Sequence, residues 1–94
     1  MIPKNRPPTH PGEILLHELL IPKGISQVKL AHDLKIPFQR INTIINGKRG
    51  VTAETAILLA NYFNMTPQFW MTLQANFDLY QARQKLHRRV PTAA

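Results

Sequence analysis

The sequence predicts an all-α domain of about five helices, the last of them long, and two observations carry that prediction. Apolar residues recur at three- and four-residue spacings along most of the chain, and no segment longer than four residues alternates apolar with polar. The 8 prolines and 4 glycines among 94 residues punctuate these periodic segments, and Asn46-Gly47 joins two helical patterns rather than two strand-like runs.

Residues 1–8 hold three prolines and no apolar period, which reads as an extended arm. Thr9 is placed to cap a first helix, with Pro11 in its first turn and Glu13 near its positive end. Leu15 and Leu19 stand at i, i+4, with Leu16 and Leu20 widening the stripe. Pro22 cannot continue that helix and Lys23-Gly24 follows, so the expected end is near Ile21. Ser26 caps a second helix over Gln27–Leu34, whose Leu30, Ala31 and Leu34 share a face. After the short turn Lys35-Ile36, Pro37 suits the first position of a third helix, with Ile41, Ile44 and Ile45 inward. Asn46-Gly47 stops it. Thr52 caps a fourth helix carrying Ala56, Leu59, Ala60 and Phe63 at i, i+3, i+4, i+7. Thr66-Pro67 opens the fifth, with Trp70, Leu73, Phe77 and Tyr80 along one side and an expected end near Leu86. The expected organisation is therefore an arm over 1–8, a domain over 9–86 and a flexible tail over 87–94.

Length and composition exclude several function classes. A chain of 94 residues makes one small domain, too small for a cleft between lobes. Hydrophobic residues at 44% are too many for a disordered polybasic tail. Without cysteine there is no thiol chemistry, disulfide or cysteine-based zinc site. A membrane-spanning helix needs about 20 apolar residues, and the longest runs here, such as Ile57-Leu58-Leu59-Ala60, are far shorter. With no secretory leader visible either, the expected location is cytoplasmic and no membrane partner is expected. His10, His17, His32 and His87 share no zinc-like spacing, and five helices leave little concavity for a general base, so the reading is non-enzymatic, with no metal or cofactor. A net charge of +7 points to a polyanion, most plausibly nucleic acid.

The position of the charge sharpens this. Gln27–Leu34 and Pro37–Ile45, joined by a tight turn, make a helix-turn-helix, whose second helix presents its solvent face to the major groove. That outer face carries Gln39, Arg40, Asn42 and Thr43, with Phe38 at its leading edge. Arg can fork onto guanine, Gln and Asn onto adenine, and an apolar group can touch a thymine methyl. Between Leu34 and Ala53 there is no acidic residue, while Lys35, Arg40, Lys48 and Arg49 all fall there. The loop Asn46-Gly47-Lys48-Arg49-Gly50 follows the recognition helix where phosphates would pass, its glycines suiting close approach of backbone amides. Ser26 and Gln27, at the N-terminus of the preceding helix, form a second phosphate-friendly element.

The run Arg40-Ile41-Asn42-Thr43-Ile44-Ile45-Asn46-Gly47-Lys48-Arg49-Gly50 resembles the Xre-type helix-turn-helix family, and within it the HigA (VapI-like) antitoxins. His10-Pro11-Gly12-Glu13-Ile14-Leu15 and the segment from Phe69 to Tyr80 support that branch, and Ser26-Gln27 followed by Leu30-Ala31 matches the opening of the motif. The resemblance implies a compact lambda-repressor-like fold and a homodimeric antitoxin of a type II toxin–antitoxin pair. Such a protein neutralises a RelE-like ribonuclease toxin, binds palindromic double-stranded operator DNA and represses its own operon. Carried onto these residues, Gln39, Arg40 and Thr43 would read bases, Lys48 and Arg49 would hold the backbone, and Gln27 would contact phosphate or buttress the recognition helix. Lys35 stands at a turn position where the family usually has Gly, and Phe38 where polar or basic residues are common.

The fifth helix is longer than a four-helix core needs, which suggests that its outer half, with Phe77 and Tyr80, packs on a second subunit. Two recognition helices would then sit the required one helical turn, about 34–36 Å, apart. A stand-alone repressor of the same fold, with no toxin, is the alternative. A small basic ribonuclease is disfavoured because such toxins mix strands with helices, and the periodicity here is helical throughout.

Overall fold

A computed structural model describes residues 8–89. The expected arm, apart from Pro8, and residues 90–94 of the expected tail lie outside these residues. The fold is all-helical among the described residues, in five consecutive helical rods. Helix α1 covers residues 11–23, as Pro11–Ile14, a π-helical stretch Leu15–Leu20, and Ile21–Lys23. It is followed by α2 (Gln27–Leu34), α3 (Phe38–Ile45), α4 (Ala53–Phe63) and α5 (Pro67–Arg89).

Two expectations about α1 are corrected. Its N-cap is His10, not Thr9: the ring Nδ1 accepts the Gly12 N–H at 2.9 Å. Nor does the helix stop near Ile21. It runs through Pro22 to Lys23, because the wider π turn, in which Ile21 N–H reaches Leu16 O, leaves room for the proline ring that an α turn would drive into a carbonyl. The same widening changes which leucines meet the core. Leu15 and Leu20, five apart, are fully buried, while Leu16 and Leu19 are half-buried.

Three helices end on a residue in the left-handed conformation: Gly24 after α1, Lys35 after α2 and Asn64 after α4. At α2, Ile36 N–H reaches back to Ala31 O and Lys35 N–H to His32 O, the paired bonds that close a helix on such a residue. Lys35, at φ 59°, holds this geometry without glycine's freedom, so the turn between α2 and α3 stores backbone strain. Helix α3 begins at Phe38, one residue later than expected, with Pro37 in extended conformation as its cap.

The inward faces read from periodicity pack together. Leu30, Ala31, Ile41, Ile44, Ala56, Leu59, Ala60 and Trp70 form one buried cluster with Leu15, Leu20 and Val51. Helix α4 packs on α5 and on α2, and α1 lies across α3. That crossing is tight: a Cβ on Gly12 would sit 2.0 Å from the Ile44 carbonyl oxygen, so only glycine lets the start of α1 rest on the recognition-helix backbone. Phe77 closes over the junction, its ring edge-on to His10 at 4.8 Å between centroids. Across the domain, the Tyr62 hydroxyl on α4 donates to Asp33 Oδ2 on α2 at 2.6 Å. This bond, together with that from Lys29, holds the Asp33 carboxyl down at about 2. The buried indole N–H of Trp70 has no acceptor among the described residues, and its ring packs in the core with an edge contact to Phe69. Helix α5 extends beyond Arg83 to Arg89, past the expected end at Leu86, and its 23 residues amount to about 35 Å of rod.

The His10 cap makes the fold acid-sensitive. Burial pushes the ring below the usual 6.5, against the opposing pull of the Glu13 and Asp78 carboxylates. The unfolded chain therefore binds the proton more readily, and stability is lost as pH falls through 6.5 toward the lower folded value. Thermal melts should show a falling midpoint between about pH 7.5 and 5.5. His10→Asn, which keeps a capping oxygen but does not titrate, should flatten that slope; an unchanged slope would exclude His10 as its source.

Candidate nucleic-acid interface

Helix α3 turns Ile41, Ile44 and Ile45 into the core, which leaves Phe38, Gln39, Arg40, Asn42, Thr43 and Asn46 on or near its outer side. Gln39 and Phe38 are exposed, and Arg40 and Thr43 are half-buried. With Pro37 and Arg49, the side chains of Gln39, Arg40 and Thr43 line a shallow cavity of about 220 Å³. Four of the residues read as DNA contacts thus converge on one concavity, although Arg49 comes from the following loop. A smaller hollow of about 160 Å³ lies beside it, sharing Arg40 and Arg49 and completed by Gly50, Thr52, Glu54 and Thr55.

The other predicted residues divide by role. Gln27 Oε1 accepts from Asn42 Nδ2 at 3.1 Å, and Asn42 Oδ1 accepts from Asn46 Nδ2 at 3.2 Å. This polar chain ties the start of α2 to the recognition helix. It also commits Asn42: only one amide N–H is left over, and a two-bond contact to adenine would require its oxygen to be shared with Asn46. Asn46 itself is exposed at the helix end. Ser26 caps α2, its Oγ accepting the Lys29 N–H at 3.0 Å, a bond that leaves the hydroxyl hydrogen available to donate. The Thr43 hydroxyl is turned onto its own helix, donating to Gln39 O at 2.7 Å, so toward a ligand it offers acceptor capacity and a methyl group.

In the loop after α3 four consecutive backbone amides are bonded within the chain. The N–H groups of Asn46, Gly47, Lys48 and Arg49 go to Asn42 O, Ile44 O, Thr43 O and Thr43 O, because the last carbonyls of α3 need donors. Gly47, at φ 73°, makes this wrap possible. What the loop presents outward is side-chain charge: Lys48 and Arg49 are both exposed. Phe77 and Tyr80 lie on α5, apart from this face; both are half-buried, and Phe77 is partly engaged with His10 of its own chain.

Two residues that support the site were not singled out from the sequence. Gln74, buried on the Trp70 face of α5, accepts the Val51 N–H at 2.7 Å through Oε1 and donates to Asp78 Oδ1 at 2.9 Å through Nε2. Gly50 carries no side chain where Gln74 lies; a Cβ there would meet the amide at 2.9 Å. The exit of the basic loop is thereby pinned to the long helix. A polar residue one turn after Trp70 on a core-facing stripe was the available clue. The second is Glu54, in the first turn of α4, whose Oε1 stands 3.8 Å from Arg40 Nη1. It is the first acid after the acid-free stretch. Among the described residues no group of three or more potential metal ligands occurs, and no helix is long and apolar enough to cross a membrane.

Removing the Gln74 amide should leave the buried Val51 N–H without a partner, at a cost of about 1–3 kcal/mol. Denaturant unfolding of Gln74→Leu checks this, and a loss below about 0.5 kcal/mol would show that the loop is held by other contacts.

The arrangement has close counterparts. A helix-turn-helix family model matches residues 16–70. Virulence-associated protein I of Dichelobacter nodosus is 45% identical over 78 residues, covering 83% of this chain and 72% of the relative. The Pseudomonas aeruginosa antitoxin HigA, solved with the higBA promoter, superposes with a TM-score of 0.85 at 39% identity, over 89% of this chain and 91% of the other. An addiction module antidote protein of a HigA family from Coxiella burnetii gives 0.83 at 40% identity, over 95% and 99%. On these matches the chain belongs to the Xre-type helix-turn-helix family, in its HigA antitoxin branch.

Proposed function

We propose that this chain is a sequence-specific double-stranded DNA-binding antitoxin that represses its own operon and neutralises a ribonuclease toxin of the RelE type. The observation that carries the DNA reading is the convergence of Gln39, Arg40, Thr43 and Arg49 on one concavity of the outer recognition-helix face. Those side chains span the two tasks of such an interface, hydrogen bonding to base edges and charge-assisted contact with phosphate. In this reading Arg40 and Gln39 read bases. Phe38, 43% exposed at the leading end of α3, meets a thymine methyl. Lys48 and Arg49 hold the backbone on one side, while the Ser26 hydroxyl and the N-terminus of α2 hold it on the other. Asn42 acts chiefly through Gln27. That the Pseudomonas antitoxin was solved with the higBA promoter supports the DNA reading.

A homodimer on a palindromic operator completes the reading. Beyond Phe77 the long helix carries Leu79 and Leu86, 50% and 57% exposed and seven residues apart. They add an apolar ridge to the half-buried Tyr80 on a segment that reaches past the core. Sedimentation at micromolar concentration should give twice the 10.8 kDa chain mass, and a monomer there would sink the dimer. The toxin reading rests on the antitoxin relatives. It predicts a neighbouring reading frame whose product is toxic alone and harmless when co-expressed with this chain; a harmless neighbour leaves a repressor acting on its own.

On a duplex bearing the chain's own promoter, Arg40→Ala should weaken binding by about 1–3 kcal/mol and relax preference at one base position. Lys48→Ala should weaken binding to every sequence and reduce the salt slope by about one. If both variants bound as tightly as the parent in a gel shift, the docking arrangement would be wrong.

A further inference from the structure

The recognition helix faces a carboxylate. Two ion pairs lie within α2, between Asp33 and Lys29 or His32, and another joins Arg40 to Glu54. The Arg40–Glu54 separation of 3.8 Å is too long for a strong hydrogen bond and close enough for a Coulomb attraction that solvent keeps modest. Arg40 is also unlike the other cations of this face. Its side chain is only 31% exposed, whereas Lys48 and Arg49 are exposed on the loop, although Arg49 lines both hollows with it. Glu54, with 81% of its side chain exposed, sits at the rim of the second hollow, beside Thr52 and Gly50. It thus places negative charge at one of the two hollows where a phosphate could pair with Arg40 and Arg49 together, and leaves the larger one, lined by Gln39 and Thr43, clear of acid.

We propose that Glu54 is a specificity-determining residue, acting through Arg40. The carboxylate disfavours a phosphate in the smaller of the two hollows that Arg40 and Arg49 share. Its pairing with the guanidinium offsets part of the charge that would draw a phosphate to Arg40, so that a neutral base edge becomes the relatively better partner for its fork. Non-specific binding is carried almost wholly by phosphate contacts, whereas specific binding adds base contacts. A carboxylate beside the reading arginine therefore penalises the first mode more than the second. Glu54 is a positioning residue in this account, since it touches no base. The inference rests on the DNA-binding reading above and extends it to the source of discrimination.

The test uses full-length protein and two duplex probes: one enriched from a randomised 20-base-pair pool by the parent chain (about two helical turns), and one scrambled duplex of equal composition. Glu54→Gln should bind the scrambled duplex about three- to tenfold more tightly at low salt while changing the enriched duplex less, so that discrimination falls. Its salt slope on the scrambled duplex should steepen by about one. Glu18→Gln, which removes the same charge from the exposed face of α1, should shift both probes alike. In an Arg40→Ala background the effect of Glu54→Gln should vanish. Glu54 also favours the N-terminus of α4 electrostatically, but a loss of that stabilisation would lower the melting midpoint without moving the ratio between probes. An unchanged ratio, an equal shift on both probes, or an effect that persists without Arg40 would overturn the proposal. If the parent enriches no sequence from the pool, the DNA reading itself fails, and the inference falls with it.

Discussion

The recognition helix is held by a backbone-to-backbone contact, and most of the structure follows from it. Gly12 lies against the Ile44 carbonyl so closely that any side chain would collide with it. At that distance the start of α1 has almost no freedom to slide over the end of α3. The residues around Gly12 make sense as a means of keeping the approach. Pro11 removes a donor that would be unsatisfied, His10 caps the Gly12 N–H, and Phe77 covers His10 from the long helix. A motif seen as a family mark in the sequence thus turns out to be the seat of α3.

The remaining constraints on that helix are polar, and each runs between elements distant in the chain. Gln27 meets Asn42 across 15 residues and Gln74 meets Val51 across 23. Apolar packing of Ile41, Ile44 and Ile45 sets the depth of α3 but is tolerant of small rotations. Directional bonds at both ends are not. A base contact needs its side chain placed to within a fraction of an ångström, so under the proposed reading these polar ties would decide whether Arg40 and Gln39 meet a base edge.

How far the fold could be read from the sequence follows from the range of each interaction. The inward faces of α2 to α4 were legible because a 3.6-residue period is a local property. The π turn in α1 was not. The doublets Leu15-Leu16 and Leu19-Leu20 satisfy spacings of four and of five equally, and only packing decides that Leu15 pairs with Leu20. His10 escaped because an imidazole is rarely a cap, and Gln74 and Glu54 because their partners are set by tertiary geometry. Lys35 shows the opposite case: its departure from glycine was visible in the sequence, and its left-handed backbone is the cost. For the site, residue types on the outer face of α3 were legible. Their states were not, since Asn42 and Thr43 spend much of their bonding capacity within the chain.

The net charge of +7 divides into groups with different physical reasons. Lys35, Arg40, Lys48 and Arg49 surround the recognition helix, and of these Arg40 faces a carboxylate while Lys48 and Arg49 stand exposed on the loop. Arg83, Lys85, Arg88 and Arg89 occupy the last turns of α5. Cations there are favoured by the negative end of the helix dipole whether or not anything binds them. A helix reaching this far past its core has little burial to hold its final turns, so terminal charge is a reason for the helix to persist to Arg89. The same excess of positive charge therefore does two jobs. At one end of the molecule it is arranged around a concave face, with an acid placed among the bases; at the other it follows the helix axis, and its arrangement is explained by the helix alone.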